Sequence, residues 1–191
     1  MGKLDGKRVA ILATDMVELV ELVEPRKALE AENATTELIS IHAGEIQGFN
    51  HFDPGDKLAV DKTVEDASVD DYDALLIPGG VGNPDQLRGN DTAVDFVRAF
   101  GEAGKPMGVI CHGPWLLVES GLARGRTLTS WPTLRTDVEN AGGTWVDQPV
   151  VVDEGIVTSR KPDDIPKFNE KIIEEFAEGV HNRHLAGSAA G

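Results

Sequence analysis

The chain has 191 residues, 40% of them hydrophobic, one cysteine, and 33 acidic against 18 basic residues for a net charge of −15. That length supports one sizeable core, the acidic balance opposes binding to a phosphate backbone, and no apolar run approaches the roughly 20 residues of a membrane span. The N-terminus "MGKLDGKRVA" lacks the apolar core of a signal peptide and a lone thiol forms no internal disulfide, so a cytoplasmic protein of one domain is expected, over residues 1–180 with a loose tail at 181–191.

Apolar runs of strand length alternate with amphipathic segments of helix length, the pattern of a mostly parallel sheet covered on both faces. "RVAILAT" (8–14) predicts a buried strand. A helical turn over 18–22 follows, then a separate helix opened by Pro25 and ended at Asn33. "TTELISIH" (35–42) is a strand, and the polar, glycine-rich stretch 44–66 is a β-excursion. "YDALLIPGG" (72–80) is a buried strand running into a paired-glycine turn. Next comes a helix over 91–106, capped by Asp91 and stopped at Gly104. "MGVIC" is a further strand and 113–121 a helix. A strand (127–130), a helix (133–143), a short strand (144–147), a hairpin (150–160) and a closing helix (163–179) complete the chain.

Cys111 stands at the carboxyl end of a predicted strand with a helix directly after it, where ligands bind in open α/β sheets. A tight turn there lifts a nucleophile out of the sheet and aims the next backbone N–H at the attacked oxygen. Gly113 fits the small residue needed two positions on, whereas Val109 stands where such elbows usually carry glycine. The competing reading is a buried structural cysteine. Glu18, Glu21 and Glu24, at helical spacing, read by themselves as a solvated acidic face. His42 and His51 could line the site as an alternative base, though isolated loop histidines more often face water, and His181 and His184 lie in the tail. Cys111 lacks further soft or imidazole ligands at usable spacing, so no metal is expected. "PGGVG" has neither a Walker lysine nor dinucleotide spacing, so no nucleotide cofactor is expected. Trp131, at a strand end, is placed near the pocket, and Arg160 with Asp163 is read as a salt bridge.

"GKPMGVI" before "CHGP", "LLIPGG" upstream, "TSWPTLRTDVENAGGTWVD" downstream and "VTSRKPDD" near the end closely resemble the PfpI family of intracellular proteases and amidases, over about residues 8 to 178. That family belongs to the class I glutamine-amidotransferase-like superfamily. The resemblance implies a flavodoxin-like α/β three-layer sandwich with a mostly parallel sheet, and Cys111 as nucleophile. It implies that Glu18, the first glutamate of "E-x-x-E-L", hydrogen-bonds the thiol, and that the Gly80 and His112 amides form an oxyanion hole. An acidic residue after "PGG", delivered by a second subunit, orients the histidine in the family. Here Asp85 takes that place in a loop one residue longer, which implies a Cys111, His112, Asp85 triad in a homodimer. The activity implied is that of a Cys-dependent hydrolase of stress defence that needs no cofactor. It would act on small reactive carbonyls or their protein adducts, with peptide hydrolysis or a redox-sensing or chaperone role of the same thiol as alternatives. Nucleic acid and membrane are not among the expected partners.

Overall fold

Alternation along the buried strands decides which side chains meet which helices. The computed structural model describes residues 1–181. In β1 (Arg8–Leu12), Val9 and Ile11 point to one face and Ala10 and Leu12 to the other, all fully buried. β2 (Val17–Glu18) is a two-residue strand, and α1 (Leu19–Ala31) follows without a break. β3 (Thr35–Ser40) lies parallel to β1. The excursion becomes β4 (Glu45–Asn50) and β5 (Asp53–Ala59), an antiparallel hairpin with a bulge between Gln47 and Phe49. β6 (Lys62–Thr63) returns to the sheet beside β3, and β7 (Ala74–Ile77) takes the other side of β1.

α2 (Gly82–Arg88) and α3 (Asp91–Glu102) precede β8 (Met107–Ile110), which pairs with β7 and leads through a turn into α4 (Trp115–Glu119). β9 (Thr127–Leu128), α5 (Arg135–Asn140) and β10 (Thr144–Trp145) form a small unit in which β9 and β10 pair in parallel. β11 (Val150–Asp153) and β12 (Ile156–Ser159) form the last hairpin, and α6 (Ile165–Glu178) closes the described chain.

The main sheet has the order β11-β12-β8-β7-β1-β3-β6, parallel at every pairing except β11 with β12. One core lies between this sheet and α3 and α4, with Phe96, Phe100 and Leu117 against Leu75, Ile77 and Val109. The other lies beneath α1 and α6, with Leu22, Leu29, Phe168, Ile172 and Phe176 against Val9, Ile11, Leu76 and Ile110. Phe168, Ile172 and Phe176 recur every four residues, so one stripe of α6 is apolar. Gly108 lets that stripe approach, since a Cβ there would fall 2.6 Å from Ile172 Cγ2. This is the mostly parallel α/β sandwich expected. No helix among the described residues is long and apolar enough to cross a membrane.

Several boundaries differ from the sequence reading. Residues 19–31 form a single helix with Pro25 inside it, buried. Pro25 lacks the N–H that would bond the Glu21 carbonyl, and packing of Leu22 and Leu29 on the sheet outweighs that loss. α2 was not anticipated. α3 is capped by Asn90 rather than Asp91, because the Asn90 side chain accepts the Ala93 N–H at 2.9 Å. The expected tail lies, from residue 182 onward, outside the described residues.

Candidate active site

Cys111 follows directly on β8 and has φ of +62°, a left-handed conformation unusual for a residue with a side chain. Three backbone bonds hold this turn: Cys111 N–H to Ser159 O at 3.0 Å, Gly113 N–H to Ile110 O at 2.9 Å, and Trp131 N–H to Cys111 O at 2.8 Å. Gly113 is required, since a Cβ there would fall 2.9 Å from Ile110 O and 3.0 Å from Ile77 O. Val109 is tolerated because the close approach is made by a neighbouring strand end instead. A Cβ on Gly79 would lie 2.6 Å from both Cys111 Cβ and Glu21 Oε1, so the glycine that clears the elbow belongs to "PGG".

The carboxyl against the thiol is that of Glu21, which corrects the expectation for Glu18. Glu21 sits in the first turn of α1, fully buried, accepts the Gly79 N–H at 3.1 Å, and lies against the Cys111 side chain across Gly79. Glu18 precedes the helix in extended conformation, with β2 paired to β4. Its carboxylate therefore turns to the hairpin tip and accepts the His51 N–H at 3.1 Å. Burial first, and then the negative charge of Glu18, push the Glu21 carboxyl from its ordinary 4.5 up to about 8, so it is protonated at neutral pH. Burial pushes the Cys111 thiol up as well, and an ionised Glu21 pushes it further, while the Gly80 and His112 amides pull it down. The pair consequently loses its protons one after the other, never together.

Gly80, at φ +79°, and His112 thus present two backbone N–H groups to the sulfur. The His112 ring Nδ1 lies 3.2 Å from Cys111 Sγ. The ring stacks on Trp131 at 5.7 Å and meets Trp115 edge-on at 5.2 Å. Burial lowers its pKa to about 4, which keeps it neutral above that. Asp85 is not near it within this chain. That carboxylate is 59% exposed on α2 and pairs with Arg88 at 3.2 Å, and the Arg88 guanidinium lies over the Trp115 ring at 4.2 Å.

A cleft of about 370 Å³ opens over the sulfur, walled by Met16, Phe49, Phe52, Val81, Trp131 and Pro162, with Glu18, His51 and His112 supplying its other side chains beside the thiol and Glu21. No lysine or arginine among the described residues lines it. Trp131 stands at the pocket as expected. His51 also reaches it, whereas His42 is held outside by Asp15 at 2.8 Å. Arg160 pairs with Asp164 at 2.9 Å and Asp147 at 2.8 Å, while Asp163 faces Lys161, a correction to the predicted Arg160 and Asp163 pair.

Sequence reasoning missed Asn83. Its buried amide accepts the Thr14 N–H at 2.8 Å and donates to the Pro78 and Gly79 carbonyls at 3.0 Å each, fixing the loop that carries Gly79 and Gly80. An asparagine in "VGNP" reads as ordinary turn chemistry, so only the fold reveals this role.

The family model described as DJ-1/PfpI matches residues 7–175. YraA of Bacillus subtilis, provisionally named a cysteine protease, is 41% identical over 168 residues, covering 88% of this chain and 97% of its own. A two-domain protein from Anabaena variabilis with DJ-1/ThiJ/PfpI-like and ferritin-like domains superposes with a TM-score of 0.83 at 32% identity. That match covers 88% of this chain and 47% of the larger one. DJ-1beta of Drosophila melanogaster superposes at 0.82 with 23% identity, covering 93% of this chain and 91% of its own, which shows the shared fold. The chain belongs to the DJ-1/PfpI family.

Proposed function

We propose that this protein is a cytoplasmic, cofactor-independent stress-defence enzyme in which the Cys111 thiolate adds to small reactive carbonyl compounds, 2-oxoaldehydes above all, or to their adducts on proteins. The observation that carries this reading is the pairing of a strained, amide-flanked thiol with a buried carboxyl that keeps its proton at neutral pH. The reactive form is the minor one in which the proton lost is the thiol's, so that a thiolate held by the Gly80 and His112 amides faces a protonated Glu21.

For a 2-oxoaldehyde the steps balance without any outside oxidant. The sulfur forms a bond to the aldehyde carbon, and the resulting oxyanion is held by the Gly80 and His112 amides. Glu21 gives its proton to that oxygen and, now a carboxylate, carries a proton from the aldehyde carbon to the neighbouring one, so the aldehyde carbon becomes oxidised as the ketone carbon is reduced, leaving a thioester. Water then cleaves the C–S bond, which releases a 2-hydroxy acid and restores the thiol. The cleft fits an uncharged substrate, because its wall is mostly apolar and no lysine or arginine among the described residues lines it to hold an anionic one.

Peptide hydrolysis, the activity suggested by the name of YraA, also needs an acid to protonate the leaving amine. Neutral His112 has no carboxylate partner among the described residues, so that reading depends on Asp85 from a second copy. A homodimer is supported by the exposed apolar rim of the cleft, where Phe52 is 95% and Val81 58% exposed. Sedimentation equilibrium of the wild type and Phe52→Asp tests it: a wild-type monomer removes the dimer.

The deciding experiment follows methylglyoxal with the purified protein by NMR, beside Cys111→Ala and without added thiol. Lactate that forms only with Cys111 present is expected. Equal rates in both proteins would overturn the proposal.

A further inference from the structure

At the end of the strands opposite Cys111, the carboxyl end of α6 carries an arrangement that breaks a local rule. Its last turn holds Glu175 and Glu178 and no basic residue, which sets two carboxylates at the negative end of the helix dipole. The chain then turns at Gly179, with φ +85°, and brings back His181. The Nε2 of His181 lies 3.0 Å from Glu175 Oε2 and 3.9 Å from Glu178 Oε2, and the three side chains offer ligand atoms all within 4.8 Å of one another.

Two further observations show that the histidine is seated. His181 N–H bonds the Gly104 carbonyl at 2.8 Å, and Gly104 has φ +66° with no room for a Cβ, which would lie 2.4 Å from His181 O. Gly155 makes way for the ring, since a Cβ there would lie 2.8 Å from His181 Cδ2. Glu175 is only 8% exposed, and its Oε2 and the facing His181 Nε2 are both shielded from water without a hydrogen bond of acceptable geometry between them. Two ligand atoms 3.0 Å apart with no hydrogen bond between them stand at the separation of neighbouring donors on one ion, each about 2.0–2.2 Å from it.

We propose that Glu175, Glu178 and His181 form a binding site for a divalent transition cation such as zinc, closed by a water ligand. One imidazole with two carboxylates favours such an ion over calcium, which takes oxygen ligands alone. Exposed Glu178 closes the remaining separation by a rotamer change. The bound ion offsets the two carboxylates and ties α6 to the turns before β8 and β12. Lys7, whose Nζ lies 3.7 Å from where a Cβ on Gly179 would be, approaches from the other side.

The test is calorimetric titration of the full chain with zinc alone and with calcium alone, in at least physiological salt so that the acidic surface is screened. One zinc ion at micromolar affinity is expected, unchanged in Cys111→Ser. Binding should weaken about tenfold or more in His181→Asn and Glu178→Gln, with little heat from calcium. Glu178→Gln changes an exposed side chain and keeps the test valid should another variant misfold. Equal zinc affinity in wild type and Glu178→Gln, loss of binding in Cys111→Ser, or calcium binding as tight as zinc would each overturn the proposal.

Discussion

Replacing Glu21 by glutamine is expected to make the protein more stable at high pH while removing the group that partners the thiol. The native state holds the Glu21 carboxyl at about 8 against an ordinary value of 4.5. A buried acid raised in this way contributes fully below pH 4.5, where both states are protonated, and its contribution is lost as pH rises through about 8. The full span corresponds to about 5 kcal/mol. Glutamine keeps an oxygen for the Gly79 N–H and carries no charge in either state, so the loss is confined to its interaction with the thiol, about 1 kcal/mol. Glu21→Gln should therefore exceed the wild type by about 2–4 kcal/mol at pH 8.5 and by nothing at pH 4.5. Urea unfolding at both pH values reads this from the midpoints. Parallel stability curves for the two proteins across that window would refute the reasoning, because they would mean that Glu21 is ionised and solvated in the native state.

The remaining predictions concern the same pocket. Glu18→Gln removes the negative charge that helps raise Glu21, so the Glu21 midpoint should move to lower pH, and because an ionised Glu21 raises the thiol, the pH profile of Cys111 alkylation by iodoacetamide should shift to higher pH. An unshifted profile would separate Glu18 from the pair. Gly79→Ala drives a methyl into Cys111 Cβ and the Glu21 carboxyl, and should cost about 1–3 kcal/mol in urea unfolding together with most of the thiol reactivity. Asn83→Ala leaves the Thr14 N–H and two loop carbonyls without their buried partner, and a destabilisation of about 2–4 kcal/mol is expected by the same measurement. A loss below about 0.5 kcal/mol would show that water replaces the amide.

Much of this architecture is legible in the chain because it follows from local regularities. Buried strands announce themselves as continuous apolar runs, the position of Cys111 at a strand end follows from where "MGVI" stops, and Gly113 and Gly80 occupy turns that leave no room for a side chain. What escaped local reading depends on contacts between distant segments. Which of two glutamates three residues apart reaches the sulfur is decided by where α1 starts, and that start is set by the pairing of Val17 and Glu18 with Gly48 and Phe49, some thirty residues on. The glycine that clears the elbow lies on β7's turn rather than two residues before the thiol, and the buried amide of Asn83 has partners on three separate residues. A periodicity extends over a few turns or a few pleats, so it identifies elements and their faces. The chemistry of a buried carboxyl, its protonation above all, depends on how much water the packed elements exclude, and only the tertiary structure decides that.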